Sequence, residues 1–211
     1  MAVEEPIVLD NANARRSLAR FIDPVARLML RLKVTPDGIT WFGAGATIFV
    51  SVAFLAQGEF LIGAILYGTF ALIDLLDGTM ARMLGTAGPW GAFLDSTLDR
   101  ISDAVVICAL IFFYINTESS NSQLAIMAGI VALVMSLMTS YARAKAESLD
   151  ALCTVGIAER AERNLIIWTS LLLSALITDV MPYALAVLAV LSTITVIQRI
   201  VFVRKQLVLK A

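Results

Sequence analysis

The sequence predicts an all-α, polytopic membrane protein: six transmembrane helices preceded by an N-terminal interfacial amphipathic helix. Composition is the first reason. Of 211 residues 59% are hydrophobic and only 16% charged, with a mean hydropathy of +0.85, more apolar surface than one soluble core can hide. Apolar stretches of about 20 residues, enough to cross hydrocarbon at helical rise, then recur along most of the chain between short polar breaks. Finally, the basic residues fall on one side of those stretches.

Residues 1–10 are acidic and without pattern, which predicts a loose tail. Over residues 12–33, Leu18, Phe21, Ile22, Val25, Leu28, Met29 and Leu32 share one helical face, and Arg16, Arg20, Arg27 and Arg31 share the opposite one. This predicts a basic helix lying on anionic lipid, with a surface helix packed on protein as the alternative. Asp23-Pro24 is expected to break or restart it. Span one covers about 39–56, after Thr35-Pro36-Asp37, and Gln57-Gly58-Glu59 leads into span two, 61–84. The turn Gly85-Thr86-Ala87-Gly88-Pro89 opens span three, 90–114. A polar loop, 116–123, precedes span four, which ends near Ala142, and a basic loop follows to Asn164. Span five covers about 165–177, and span six runs from Pro182 through Val201. Residues 1–36 thus make a tail and juxtamembrane helix, and residues 37–211 a six-helix transmembrane domain.

With the N-terminus in the cytoplasm, all sixteen Lys and Arg fall at or toward that side, as the positive-inside rule requires. A multi-pass protein of the cell (inner, cytoplasmic) membrane is expected, with both termini and the polar site facing the cytoplasm. No secretory signal peptide is expected. A net charge of −1 identifies no partner by itself, and no nucleic-acid partner is expected. There is no histidine, and the two cysteines, Cys108 and Cys153, match neither a disulfide framework nor a zinc spacing.

Spans two and three contain Asp74, Asp77, Asp95 and Asp99 among Leu, Ile, Phe, Ala and Met. An Asp at the centre of a membrane helix costs about 3 kcal/mol even on the lenient insertion scale, and clustered like charges cost more. The pairs at i,i+3 and i,i+4 each project from one side of a helix. Asp77 stands eight residues before Gly85 and Asp95 six after Pro89, so both pairs lie at similar depth, about 10 Å from the turn. The four carboxylates should converge. Without histidine or a nearby thiolate, such a set selects hard cations, Mg²⁺ or Mn²⁺, and four carboxylates suit two ions. The bland alternative is a set of buried ion pairs with Arg82 and Arg100, Asp103 being a further acid to satisfy; two arginines do not neutralise five acids.

The pattern Asp74, Asp77-Gly78, Ala81-Arg82, Gly91, Asp95 and Asp99, with its fixed spacing, resembles the signature of the CDP-alcohol phosphotransferases. The likeness covers essentially the whole chain beyond the acidic tail, and that family's six-helix architecture matches the spans. The resemblance implies cleavage of CDP-diacylglycerol with release of CMP and transfer of the phosphatidyl group to an alcohol. It implies Asp74, Asp77 and Asp95 as metal ligands, and Asp99 as general base for the acceptor hydroxyl with a share in ligation. It also implies donor contacts at Asp74, Gly78, Ala81 and Arg82 and at Pro36, Asp37 and Thr40 before and within the first span. Asp37 stands where family members more often have Asn, and an ordinary helix cap explains it equally well.

The acceptor is read from the basic residues on the cytoplasmic side. Arg143, Arg163 and Arg199 come from three helices at comparable depth, with Lys145 and Arg160 beside them, and converging guanidinium groups suit a phosphate monoester. Anchoring in lipid headgroups is the alternative. The stretch from Ser140 through Arg163 resembles that of bacterial phosphatidylinositol phosphate synthases of the actinobacterial type, which implies inositol 1-phosphate as acceptor; glycerol 3-phosphate is the runner-up. A homodimer is expected from the family, and Gly43, Ala44, Gly45 and Ala46 would permit close helix contact. A divalent-cation transporter would also explain intramembrane carboxylates, but not the fixed glycines or the one-sided basic cluster. A nonenzymatic scaffold would tolerate Asp95→Asn.

Overall fold

The computed structural model describes residues 22–177 and 179–210. The acidic tail and the first part of the predicted amphipathic helix, including Arg16, Leu18, Arg20 and Phe21, lie outside the described residues. Helix α1 covers residues 22–31, and α2, Pro36–Ala53, is followed by a 3-10 turn, Leu55–Gln57. Then come α3 (Phe60–Leu84), α4 (Pro89–Ile115), α5 (Ser122–Glu147), α6 (Arg160–Ser174) and α7 (Val180–Lys210). The described residues contain no strand.

Among the described residues, four segments are long and apolar enough to cross a membrane: Pro36–Gln57, Phe60–Leu84, Ser122–Glu147 and Val180–Val208. The six expected spans include α4 and α6 as well. With 27 residues, α4 exceeds the hydrocarbon thickness of about 30 Å, but Asp95, Asp99, Arg100 and Asp103 lower its hydropathy. At 15 residues, α6 reaches only about 22 Å.

Helix ends depart from the expected membrane edges for a simple reason. Hydropathy locates the edge of an apolar stretch, whereas Ala, Arg, Lys and Glu continue a helix beyond it. The supposed basic loop therefore shortens to residues 148–159, and Arg143, Lys145, Arg160 and Arg163 all stand on helices. Residues 22–31 are helical throughout, and the chain before the expected break or restart at Asp23-Pro24 lies outside the described residues.

The chain divides into two compact units, one of residues up to 44 together with 69–98, the other of 45–68 together with 99 onward. In the first, Ala26 of α1 is fully buried with Ile39, Leu76 and Met80, and Ile22 and Met29 pack on them. Val25, Leu28 and Leu32 remain exposed, so the apolar face of α1 is shared between protein and surroundings. In the second, Leu110, Leu171, Leu185 and Leu188 form the core. Ala125, Ala128 and Ala132 of α5 contribute small side chains to it, which lets neighbouring helices approach closely. Large apolar side chains such as Phe49, Leu72, Phe93 and Val190 are more than half exposed, as lipid contact demands and water does not. Both cysteines are unpaired thiols.

Candidate metal and phosphate site

The turn joining α3 and α4 is fixed by backbone bonds. Gly85 adopts a left-handed φ of 66°, its N–H donates to the Arg82 carbonyl at 3.2 Å, and the Thr86 N–H donates to Ala81 at 3.0 Å. These are the paired bonds of a glycine-ended helix. Pro89 opens α4 at a position where its missing N–H costs nothing.

Asp95 is the centre of the carboxylate group. It offers an oxygen within 4.8 Å of one from Asp74 on α3 and of one from Asp99, a turn further along the same unbroken α4. Asp99 is buried, the others half-buried. Asp77 stands apart from this trio. Three residues at 100° each leave it about 60° around the helix from Asp74, toward α2. There its carboxylate accepts the Thr40 hydroxyl at 2.6 Å and the Gly78 N–H. The four carboxylates expected at one point thus divide into three and one.

Asp77 and Asp95 share the wall of a cavity of about 720 Å³, within the range of small-molecule sites. Pro36, Asp37, Thr40, Gly78, Ala81, Arg82 and Gly91 line the same cavity, so the positions expected to meet the donor gather there, Asp74 excepted. Thr35 rather than Asp37 caps α2, its hydroxyl accepting the Gly38 N–H at 3.1 Å. Asp37 instead accepts the Trp90 indole N–H at 3.0 Å. Arg82 donates to Thr79 at 3.0 Å.

The basic residues sort into three kinds. Arg163 and Arg199 are buried and turned onto the loop before α6. Arg163 donates to the Ala158 carbonyl at 3.0 Å; Arg199 donates to Val155 at 2.9 Å and to Thr139 at 2.6 Å, and its Nη2 lies 3.6 Å from Glu159. Arg160 faces α4 instead, with Nη1 2.6 Å from Asp99 and Nε 3.5 Å from Asp103. Arg143 is half-exposed and paired with Glu147 at 2.9 Å, while Lys145 lines an apolar groove between α5 and α7.

One expectation changes here. The counter-ion of Asp99 and Asp103 is Arg160, on α6, rather than Arg82 or Arg100; Arg100 Nη1 is buried without a hydrogen-bond partner in the structure. Arg163 and Arg199 meet at the loop before α6, while Arg143 is paired on its own helix with Glu147. Sequence reasoning also passed over Glu159, Gly156 and Thr195. Thr195 accepts the Ala158 N–H at 3.0 Å, and Gly156 sits so close to Thr195 that a β-carbon would come within 2.6 Å of it. The only local signal was the glycine itself, in a short polar loop.

Apolar helices long enough to span a membrane, a carboxylate trio and buried guanidinium groups are features expected of a membrane-embedded, metal-dependent transferase. Residues 33–198 match the model of the CDP-alcohol phosphatidyltransferase family, and the chain belongs to that family. It is 38% identical over 200 residues to the phosphatidylinositol phosphate synthase of Cutibacterium acnes, covering 90% of this chain and 96% of the relative. It is 40% identical to the archaetidylinositol phosphate synthase of Methanothermobacter thermautotrophicus, covering 92% and 93%. The crystal structure of Mycobacterium tuberculosis phosphatidylinositol phosphate synthase with CDP-DAG bound superimposes with a TM-score of 0.82 at 35% identity, covering 88% of this chain and 94% of that one. The same enzyme in complex with manganese and citrate gives 0.81 at 35% identity, covering 86% and 88%.

Proposed function

We propose that this enzyme transfers the phosphatidyl group of CDP-diacylglycerol to the hydroxyl of 1D-myo-inositol 1-phosphate, giving phosphatidylinositol phosphate and CMP. The observation that carries the acceptor is the pair of buried arginines, Arg163 and Arg199, held on one short loop. The likeness to enzymes named for inositol phosphate supports it. Glycerol 3-phosphate would use the same phosphate grip, but the relatives from Cutibacterium acnes and Methanothermobacter thermautotrophicus are both named for inositol phosphate products.

The donor set fits the metal that the family implies: carboxylate oxygens within 4.8 Å, with no histidine in the chain, suit Mg²⁺ or Mn²⁺. A bound pair of such ions would withdraw charge from the pyrophosphate and stabilise the leaving CMP. Asp74, Asp77, Asp95 and Asp99 are the proposed ligands, and Thr40 and Gly78 hold the Asp77 carboxylate in one orientation.

Pro36, Asp37, Thr40, Gly78, Ala81 and Arg82 form the proposed wall for the cytidine diphosphate. Arg163 and Arg199 grip the acceptor phosphate, with Arg160 beside them and Arg143 and Lys145 at the outer edge. Asp99 takes the proton of the acceptor hydroxyl as its oxygen bonds to the lipid-side phosphorus and the bond from that phosphorus to CMP breaks. Six spans in the cell membrane, a juxtamembrane helix held on lipid, a site open to the cytoplasm and a homodimer complete the proposal; the basic residues at one end of the helices support the orientation.

Purified protein with CDP-diacylglycerol and Mn²⁺, offered inositol 1-phosphate, glycerol 3-phosphate and free inositol in turn, tests this reading. CMP should appear with inositol phosphate. A preference for glycerol 3-phosphate overturns the acceptor, and CMP release that persists after chelation overturns the metal site.

A further inference from the structure

Asp103 lies outside the motif that runs from Asp74 to Asp99, yet it is nearly as buried as Asp99, their side chains being 13% and 11% exposed. One turn apart on α4, the two acids present a single face to α6. Arg160 reaches both: Nη1 lies 2.6 Å from Asp99 Oδ2, and Nε lies 3.5 Å from Asp103 Oδ2 as an ion pair in which neither atom makes a hydrogen bond; its side chain is 33% exposed. Asp103 therefore holds the guanidinium by charge rather than by a directed bond.

The pairing conflicts with the role proposed for Asp99. The guanidinium holds one of the two Asp99 oxygens at 2.6 Å, and its positive charge offsets the negative charge that would attract a divalent ion or a proton. Any retreat of Arg160 from Asp99 therefore strengthens the site for both. Two groups bear on where it goes. Arg163, one turn along α6, is part of the proposed phosphate grip, so an acceptor dianion brings a stronger partner than one carboxylate. Asp103 limits how far the guanidinium travels.

We propose that Arg160 is a positioning residue, tethered by Asp103, that neutralises Asp99 at rest and releases it when the acceptor phosphate arrives. The proposal rests on Asp99 being a metal ligand and base. Its consequence is linkage: whatever draws Arg160 from Asp99 strengthens cation binding, and the cation strengthens acceptor binding by the same factor.

Mn²⁺ binding measured by electron paramagnetic resonance on the full chain, without CDP-lipid so that nothing turns over, reads this directly. In the unmodified protein, inositol 1-phosphate should tighten Mn²⁺ binding by roughly fivefold or more, the lower end of ordinary site-to-site coupling. Arg160→Gln should bind Mn²⁺ more tightly without acceptor and lose the linkage. Asp103→Asn should weaken the linkage and Asp103→Glu restore it, which a merely structural acid would not do. Full linkage in Arg160→Gln, or identical behaviour of Asp103→Asn and Asp103→Glu, overturns the proposal. An unmodified protein that binds no Mn²⁺ overturns the metal reading beneath it, a different and separately visible failure.

Discussion

Replacing Arg199 with alanine should damage the fold before it damages catalysis. The side chain is only 3% exposed and donates to the carbonyls of Val155 and Thr139 at 2.9 and 2.6 Å. Hydrogen bonds from a charged group contribute about 1.5–3 kcal/mol each, so losing two, with both carbonyls left in a dry setting, should cost about 3–6 kcal/mol. The Glu159 contact adds little, being 3.6 Å long with a half-exposed acid. Nε is committed to the loop at Val155 and Nη1 to Thr139 on α5, so only Nη2 is placed to meet an acceptor phosphate, and it would exchange Glu159 for it. Thermal unfolding in detergent, with limited proteolysis of residues 148–159, reads the effect. Arg199→Ala should unfold earlier and be cut faster in that loop, and Arg199→Lys should lie between the two. An unchanged unfolding temperature and cleavage rate, with only the KM for the acceptor raised, would refute the strap and leave Arg199 as a ligand contact alone.

Gly156→Ala should lower stability by about 1–3 kcal/mol, because Gly156 has φ 148° and its β-carbon would press on Thr195 at 2.6 Å; thermal unfolding is the measurement. Thr40→Val keeps the shape but removes the hydroxyl that holds Asp77 at 2.6 Å, so the KM for CDP-diacylglycerol should rise by roughly tenfold, the equivalent of one such bond, with little change in unfolding temperature. Arg143→Ala removes an exposed pair with Glu147 and should shift stability by less than about 0.5 kcal/mol, so any rise in acceptor KM that accompanies it measures a ligand contact.

What the sequence revealed follows from which interactions are local. The α3–α4 turn and the two helices it joins are encoded within a few residues of themselves, and the structure has them there. The division of Asp77 from the trio needed knowledge of what Thr40, on another helix, would do with it. The partner of Asp99 lies more than fifty positions away, and no spacing rule connects Asp99 to Arg160. The sequence offers Arg199 as a phosphate ligand, with a headgroup anchor as the alternative, and not as a strap between α5 and the following loop, because its carbonyl partners are backbone atoms, which carry no residue signature.

The charge of the carboxylate trio has a consequence for stability. Carboxylates from Asp74, Asp95 and Asp99 within 4.8 Å repel one another in a region of low dielectric, and Arg160, shared with Asp103, offers one positive charge. A divalent ion should therefore stabilise the folded protein as well as serve the reaction, by about 2.7 kcal/mol at a hundred times its dissociation constant. Asp95→Asn removes the central charge. In metal-free buffer this variant should unfold at a higher temperature than the unmodified protein, because the repulsion is relieved; with saturating Mn²⁺ the order should reverse, because the carboxamide cannot hold the ion. Turnover should be lost in either buffer. If the variant is instead the less stable of the two without metal, the trio is held by hydrogen bonds that offset its charge, and the electrostatic argument for the metal fails even where the enzyme remains metal-dependent.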